Sequence, residues 1–151
     1  PFIHPDGVSL YFASNGWEGL GGYDMYYTRV DDLRVQKPLN FGHPINTEGD
    51  EFYFGVDAEG EKAYFSSNKY PSKGGMDIYE FELYPAIKPQ KVFLVRGSVV
   101  DENDNPIGGE LELFITAGAK EKLLYRIDET EGTFTAVLNP KNDYIHLRFH
   151  N

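Results

Sequence analysis

The sequence contains no cysteine, few basic residues and no long apolar run. The absence of cysteine excludes disulfide bonds and thiolate metal sites. The 14 lysines and arginines are outnumbered by 24 acidic residues, which gives a net charge of −10. Nucleic acids and anionic lipid surfaces bind clustered basic residues, so neither is an expected partner. No apolar run reaches the roughly 20 residues that a membrane-spanning helix needs, so we predict a chain that does not span a membrane.

Helical periodicity is also missing, and the chain is instead rich in residues typical of β-structure. It contains 11 tyrosines and 11 phenylalanines, together with 16 glycines and 9 prolines. Aromatic side chains favour half-buried pleated surfaces, and glycine and proline favour turns. We therefore predict an all-β protein. The first residues resemble no signal peptide and the last fall within a strand-like pattern, so we expect a piece of a longer protein.

Two blocks of the sequence occur twice, and in both cases the copies are 53 residues apart. Gly7–Asn15 matches Gly60–Asn68, and Gly21–Tyr26 matches Gly74–Tyr79 without a gap between the blocks. Self-similarity at a fixed period indicates a repeat architecture. The shared motif residues are Tyr11, Phe12, Asp24 and Tyr26 in the first copy, and Tyr64, Phe65, Asp77 and Tyr79 in the second.

Each copy has the size and strand pattern of one propeller blade. A turn leads into a strand, a glycine-rich loop follows, and a second strand comes after the loop. About four strands in about 50 residues is typical of a blade. The predicted strands are residues 10–14, 23–30, 51–56, 63–67 and 76–83, with a short outer strand at 33–36.

The repeated motif resembles the blades of TolB-like propellers. It reads Pro-Asp-Gly, three residues, Tyr-Phe-Ala-Ser-Asn, and later Gly-Gly-x-Asp-x-Tyr. The connecting residues 40–51 are similar to the linkers between such blades in outer-membrane proteins of Bacteroidetes-type bacteria. The resemblance implies that residues 1–84 form two four-stranded blades of an incomplete β-propeller.

A different pattern begins at residue 92, after a proline-containing stretch at 85–91 that we predict to be a linker. Its motifs, Arg96-Gly97, Asn105-Pro106-Ile107-Gly108 and Gly132-x-Phe134, resemble the carboxypeptidase-regulatory domain, a small transthyretin-like β-sandwich. That family has about seven strands and five are predicted here, so we expect residues 92–151 to be a truncated copy. The family usually has alanine where Gly109 stands, and this departure does not change the expected fold. Short strands separated by turns favour a sandwich; the predicted ones are residues 92–100, 111–115, 122–127, 133–138 and 143–149.

Blades followed directly by this sandwich resemble the OmpA-family envelope proteins of Bacteroidetes, among them the PorE-like subunits of type IX secretion. The resemblance implies a non-catalytic scaffold in the periplasm, associated with the outer membrane. Its partners would be other envelope proteins. Peptidoglycan would be reached only through domains outside this chain.

Trp17 and Tyr70 are the candidate contact residues for a partner or a sugar. They lie at equivalent positions of the two glycine-rich loops. Exposed aromatic residues in loops bind sugar rings or proteins. They can equally fold back over the blade, and the sequence favours neither arrangement.

Several polar residues are candidates for an ion site, and none of them is convincing. Asp24 and Asp77 either bind an ion or accept backbone N–H groups of the Gly-Gly turn. We favour the second role, because a repeated residue usually serves the repeat. Asp101 begins a calcium-like spacing, but Pro106 stands where a calcium loop needs glycine. The four histidines suggest no third zinc ligand, so we expect no metal and no cofactor.

The sequence carries no recognisable catalytic motif. A nucleophile elbow, a cysteine nucleophile, a histidine-glutamate zinc motif and a phosphate-binding loop are all missing. We therefore predict that the chain is not an enzyme. The alternative function is a carbohydrate-binding module or a part of a polysaccharide-acting enzyme, because both folds recur in such proteins. That alternative predicts aromatic and carboxylate side chains converging on one face.

Overall fold

The chain folds into two compact units, Pro1–Lys91 (unit 1) and Val92–Asn151 (unit 2). In the described residues the prediction of an all-β protein is confirmed, because several small antiparallel sheets, none closed, are present without an α-helix. No helix in this part of the chain has the length and apolar character needed to cross a membrane. The structure, a computed structural model, describes residues 1–31, 34–57, 59–69, 72–117, 119–127, 130–138 and 145–150.

Unit 1 contains two antiparallel sheets that correspond to the two sequence repeats. Its strands are Phe2–Ile3 (β1), Ser9–Ser14 (β2), Asp24–Asp31 (β3), Arg34–Val35 (β4), Leu39–Asn40 (β5), Glu51–Val56 (β6), Lys62–Ser67 (β7) and Asp77–Glu82 (β8). Strands β1 to β4 are neighbours in sequence order in the first sheet, and β5 also pairs with β3. Strands β6, β7 and β8 form the second sheet in the same order. We refer to the first sheet as repeat 1 and to the second as repeat 2.

The two repeats have the same strand register at the 53-residue spacing. Phe12 on β2 lies opposite Tyr26 on β3. Phe65 on β7 lies opposite Tyr79 on β8. The rings of both pairs stack, with centroids 5.7 Å and 5.6 Å apart. The repeat in the sequence is therefore also a repeat of the β-hairpin geometry.

Repeat 2 has three strands in the described part of the chain, and not the four that the sequence predicts for a blade. After β8 the chain enters a 3-10 helix, Pro85–Ile87, instead of an outer strand. Pro85 and Pro89 have no backbone N–H to donate to a strand ladder, which explains the difference. Residues 85–91, predicted as a linker, lie within unit 1. There Ile87 is fully buried, and its carbonyl accepts a hydrogen bond from Tyr11 Oη at 2.6 Å.

The core of unit 1 lies between the two repeats. Alternate residues of a strand point to opposite faces of its sheet. We call these the Tyr11 face, which carries Tyr64 in repeat 2, and the Phe12 face, which carries Phe65 in repeat 2. The Tyr11 face of repeat 1 packs on the Phe12 face of repeat 2, where Tyr11 stacks on Phe54 with centroids 4.6 Å apart. The buried cluster comprises Tyr11, Met25, Tyr27, Phe41, Ile45, Phe54, Ala63, Phe65, Leu83 and Ile87.

Asp6 ties the first turn to the end of unit 1. Its carboxylate accepts hydrogen bonds from the backbone N–H groups of Val8, Ser9 and Gln90 and from the Ser9 hydroxyl, at 2.8 to 3.0 Å. Burial raises the pKa of Asp6, but the contacts with His4, Ser9, Gln90 and Val8 together hold that pKa well below its ordinary value. The ionised carboxylate is therefore the form that stabilises the fold.

The depressed pKa of Asp6 predicts a loss of stability in acid. A carboxyl group with a lowered folded-state pKa stabilises above its ordinary value of about 4 and loses that contribution as the pH falls below it. Chemical unfolding followed from about pH 5 to pH 3 should show a shallower decline for Asp6→Asn than for the native chain. Glu59, the exposed equivalent in repeat 2, provides the control, and Glu59→Gln should follow the native curve. Equal slopes for all three proteins would contradict the assignment.

Unit 2 contains five strands in its described residues, and their positions overlap the five predicted ones. The strands are Phe93–Ser98 (β9), Gly109–Ala117 (β10), Ala119–Ile127 (β11), Thr133–Leu138 (β12) and Ile145–His150 (β13). Strands β10, β11 and β13 form one antiparallel sheet with β10 in the centre, and β9 and β12 form a second. Ala136 and Leu138 are buried and pack with Val95 and Phe134.

Gly97 has a clear structural role in unit 2. It lies opposite Phe134 across β9 and β12. A Cβ atom at position 97 would lie 2.5 Å from the Phe134 ring, so only glycine leaves room for that ring. Two separate parts of the motif that suggested a carboxypeptidase-regulatory domain therefore meet in one cross-strand pair.

Candidate binding surfaces of the two repeats

Asp24 and Asp77 have the same structural role in the two repeats. The Asp24 carboxylate accepts the backbone N–H groups of Leu20 and Gly21, at 3.1 Å and 3.3 Å. The Asp77 carboxylate accepts the N–H of Lys73, the equivalent of Leu20, at 2.7 Å. Each aspartate therefore closes its own glycine-rich loop, as short acidic side chains do in turns.

Removing these carboxylates should have unequal effects, because Asp24 is 1% exposed and Asp77 is only partly buried. In Asp24→Ala, the N–H groups of Leu20 and Gly21 lose an acceptor that is itself buried, which should lower the free energy of unfolding by about 1–3 kcal/mol. In Asp77→Ala, water can replace the acceptor, and the loss should stay below about 1 kcal/mol. Urea unfolding measures both values. Equal losses would show that the two loops are held differently from the way their hydrogen bonds suggest.

Trp17 packs on its own repeat and still exposes half of its surface. Its ring meets Phe12 and Tyr26 edge-on, with centroids 5.7 Å and 5.4 Å away, and its side chain is 48% exposed. Trp17 therefore folds back over its own repeat and is at the same time half exposed, so the arrangements that the sequence left open both occur in part. Tyr70, the equivalent residue of repeat 2, lies outside the described residues.

A cleft of about 430 Å³ lies beside Trp17. The Glu18 carbonyl fixes one wall, because it accepts hydrogen bonds from Tyr26 Oη at 2.9 Å and from Asn40 Nδ2 at 3.1 Å. Aromatic, acidic, basic and amide groups thus surround one opening. We call it the Trp17 cleft; its lining residues are Trp17, Glu18, Tyr26, Lys37, Pro38 and Asn40.

Tyr53 is a second exposed aromatic residue, and the sequence did not predict it. It is 86% exposed and has a φ of 52°, in the left-handed region, at a bulge between Phe52 and Gly55 on β6. A non-glycine residue in this region is strained, and such strain is common at functional sites. The available signal was Gly55, because an isolated glycine within a strand pattern suggests a bulge. Tyr53 borders a cleft of about 480 Å³ that also contacts Phe2 and Tyr23.

The Tyr11 face of repeat 2 is exposed, and its two ends differ in polarity. Tyr64 is 40% exposed and Ile78 is 81% exposed, whereas their repeat 1 equivalents, Tyr11 and Met25, are buried. At the other end, Lys62 Nζ lies 2.7 Å from a Glu80 carboxylate oxygen. That hydrogen bond raises the pKa of Lys62. The end with Lys62 and Glu80 is charged, and the end near the glycine-rich loop is apolar and exposed.

The loop at Asp101 in unit 2 satisfies its carboxylate internally. Asp101 accepts the backbone N–H groups of Asn103 and Asn105 at 2.8 Å and 2.9 Å. The Asn105 side chain also donates to it, and these hydrogen bonds lower the pKa of Asp101. Among the residues that the structure describes, no group of three histidine, aspartate or glutamate side chains is placed to hold a metal ion.

No family model, no curated protein and no solved structure matches this chain.

Proposed function

We propose that the chain is a non-catalytic scaffold whose repeats dock other proteins. In this proposal, unit 1 is two blades of a β-propeller and unit 2 is a transthyretin-like sandwich that separates them from an anchoring domain. The main support is the way the repeats stack. Two hairpins of identical register pack with the Tyr11 face of one on the Phe12 face of the next, as successive blades do.

The same stacking leaves surfaces for partners on both sides of unit 1. Trp17 and Leu20 are about half exposed at the repeat 1 loop, and Ile78 is 81% exposed on repeat 2. Exposed apolar side chains grouped on one face mark interaction surfaces more often than isolated ones do. The motif resemblance supplies the proposed setting, which is the periplasm, next to the outer membrane, with other envelope proteins as partners. A role in type IX secretion and a link to peptidoglycan through other domains belong to the same proposal.

Photo-cross-linking in the native cell tests this function. A photoreactive phenylalanine analogue would replace Ile78 in the full-length protein, and Met25, its buried equivalent, would be the matched control position. We expect the Ile78 position to form cross-links with a defined envelope protein, and the Met25 position to form none. Fractionation should recover the protein with the outer membrane. A cytoplasmic protein, or hydrolysis of polysaccharide by the purified chain, would overturn the proposal.

The Trp17 cleft supports a second candidate function, which is binding of carbohydrate. Pyranose rings stack on exposed aromatic residues, and Glu18, Lys37 and Asn40 surround Trp17 with polar groups. Trp17 is the only tryptophan in the chain, so its fluorescence reports directly on this cleft. Titration with soluble peptidoglycan fragments and with other oligosaccharides should leave the fluorescence unchanged if the scaffold proposal holds. A saturable change that Asn40→Ala weakens would favour carbohydrate binding.

A further inference from the structure

The glycine-rich loop of repeat 1 is covered by a strand of repeat 2. Gly22 N–H donates to the Gly49 carbonyl at 3.1 Å, and Glu51 N–H donates to the Tyr23 carbonyl at 2.7 Å. Tyr23 N–H donates to the Asp50 carboxylate at 2.9 Å. The segment that leads into β6 therefore binds the loop of the preceding repeat through three hydrogen bonds, two between backbone groups and one to the Asp50 carboxylate.

The equivalent loop of repeat 2 is closed by its aspartate in the same way, but among the described residues no strand covers it. Asp77 holds this loop as Asp24 holds the first one. A Cβ atom at Gly74 or Gly75 would meet nothing within 4 Å. In the described part of the chain, the N–H of Gly75 and both backbone groups of Met76 make no hydrogen bond. We call residues 74–76 the Gly75 edge.

The side chains beside the Gly75 edge repeat the pattern that is covered in repeat 1. There, Phe52 packs on Tyr23 with ring centroids 4.8 Å apart, and Phe54 stacks on Tyr11 at 4.6 Å. Met76 and Tyr64 are the equivalents of Tyr23 and Tyr11 in repeat 2. They are 42% and 40% exposed. Two adjacent apolar contacts are therefore available to an incoming strand.

Charge around the Gly75 edge favours an acidic occupant. The segment that covers the repeat 1 loop carries two carboxylates that are not buried, at Glu48 and Asp50, and the Asp50 carboxylate accepts the Tyr23 N–H. The repeat 2 loop carries the exposed Lys73, where repeat 1 has Leu20. Opposite charges on the two surfaces speed association and select the partner.

We propose that the Gly75 edge binds an acidic strand of the type Gly-Asp-Glu-Phe-x-Phe from a partner polypeptide. In this arrangement Gly75 N–H donates to the strand's glycine carbonyl and Met76 N–H to its aspartate. The glutamate N–H donates to the Met76 carbonyl, and the two phenylalanines lie on Met76 and Tyr64. A second copy of this chain is a poor donor, because its own segment is already bound to Gly22. The inference rests on the proposed scaffold function and names the partner chemistry.

A peptide with the sequence of residues 46–55 is the probe for this site, and a scrambled peptide of the same composition is its control. Hydrogen-exchange mass spectrometry with saturating peptide should show slower exchange at Gly75 and Met76, and the scrambled peptide should have no effect. Fluorescence anisotropy of the labelled peptide then gives the affinity. In Gly75→Val the affinity should fall at least about tenfold, which corresponds to ~1.4 kcal/mol and to the loss of one or two hydrogen bonds.

Gly16→Val is the matched control, because Gly16 is exposed and a Cβ there meets only Ser14 Oγ at an ordinary 3.5 Å. The affinity of the Gly16→Val variant for the peptide should equal that of the native chain. No protection by the peptide, or equal protection by the scrambled one, would overturn the inference. Self-association that Gly75→Val abolishes, without peptide binding, would identify a second copy as the occupant and also overturn it. If only the peptide fails while the Ile78 cross-links persist, the scaffold function stands and this inference falls.

Discussion

Tyr11→Ala should lower the free energy of unfolding of unit 1 by about 4 kcal/mol, which is typical for truncating a fully buried aromatic ring. Tyr11 is 0% exposed; its ring stacks on Phe54 and packs at a tilt against Tyr27, with centroids 4.6 Å and 5.1 Å away. Alanine would leave a cavity between the repeats. It would also leave the buried Ile87 carbonyl without its 2.6 Å hydrogen bond. Both losses act on the contact that joins the two repeats to the C-terminal segment of unit 1.

Tyr64→Ala is the matched control for this prediction. Tyr64 has the same side chain and the equivalent strand position, but it is 40% exposed, so the cost should stay below about 1 kcal/mol. Tyr11→Phe separates the hydrogen bond from the ring, and it should cost about 1 kcal/mol. Urea unfolding followed by the fluorescence of Trp17, the only tryptophan, reports on unit 1 alone. Equal destabilisation by both alanine variants would mean that the repeats do not pack through the Tyr11 face.

The strand positions of both repeats follow from local pattern, and this is why sequence predicted them well. Tyr-Phe-Ala-Ser-Asn and Gly-Gly-x-Asp-x-Tyr each fix a strand end and a turn. Their constant spacing fixes the hairpin register, as Phe12 opposite Tyr26 shows. Strand β6, Glu51–Val56, was also predicted at its observed bounds. Such features depend on neighbours in the chain.

Burial of each face could not be predicted from the motif, because it depends on which sheet lies next to it. Tyr11 and Tyr64 occupy identical motif positions, yet one is buried and the other is exposed. Neighbouring residues on the same face do indicate which of the two tyrosines is exposed. Repeat 2 carries Lys62 and Glu80 on this face, and charged residues there are compatible only with water or a polar partner.

The candidate surfaces were predicted only where a single residue defines them. Trp17 was selected from its place in a glycine-rich loop, but Lys37 and Pro38, which also line its cleft, come from a segment with no recognisable pattern. Tyr53 was missed because its exposure results from a bulge that reverses the alternation along β6. The Gly75 edge is visible only when its loop is compared with the covered loop of repeat 1.

Gly21→Ala should lower the free energy of unfolding of unit 1 by about 2–3 kcal/mol, at the upper end of the cost of overpacking. A Cβ atom at position 21 would lie 2.3 Å from the Gly49 oxygen and 2.4 Å from the Thr47 oxygen. Both are backbone atoms, so they cannot rotate away as a flexible side chain could. The segment before β6 would have to move off the loop, and the Gly22 to Gly49 hydrogen bond would break.

Gly74→Ala makes the same change at the equivalent position of repeat 2, where a Cβ atom meets nothing within 4 Å. Its stability should equal the native value or exceed it slightly, because alanine reduces the entropy of the unfolded chain. The difference between the two variants, measured by urea unfolding with Trp17 fluorescence, isolates the contact between one repeat's loop and the next repeat's strand. An equal loss in both would mean that the loop needs glycine for its own conformation. A loss in Gly21→Ala alone would show that the glycine pair is the docking surface for the strand of the following repeat.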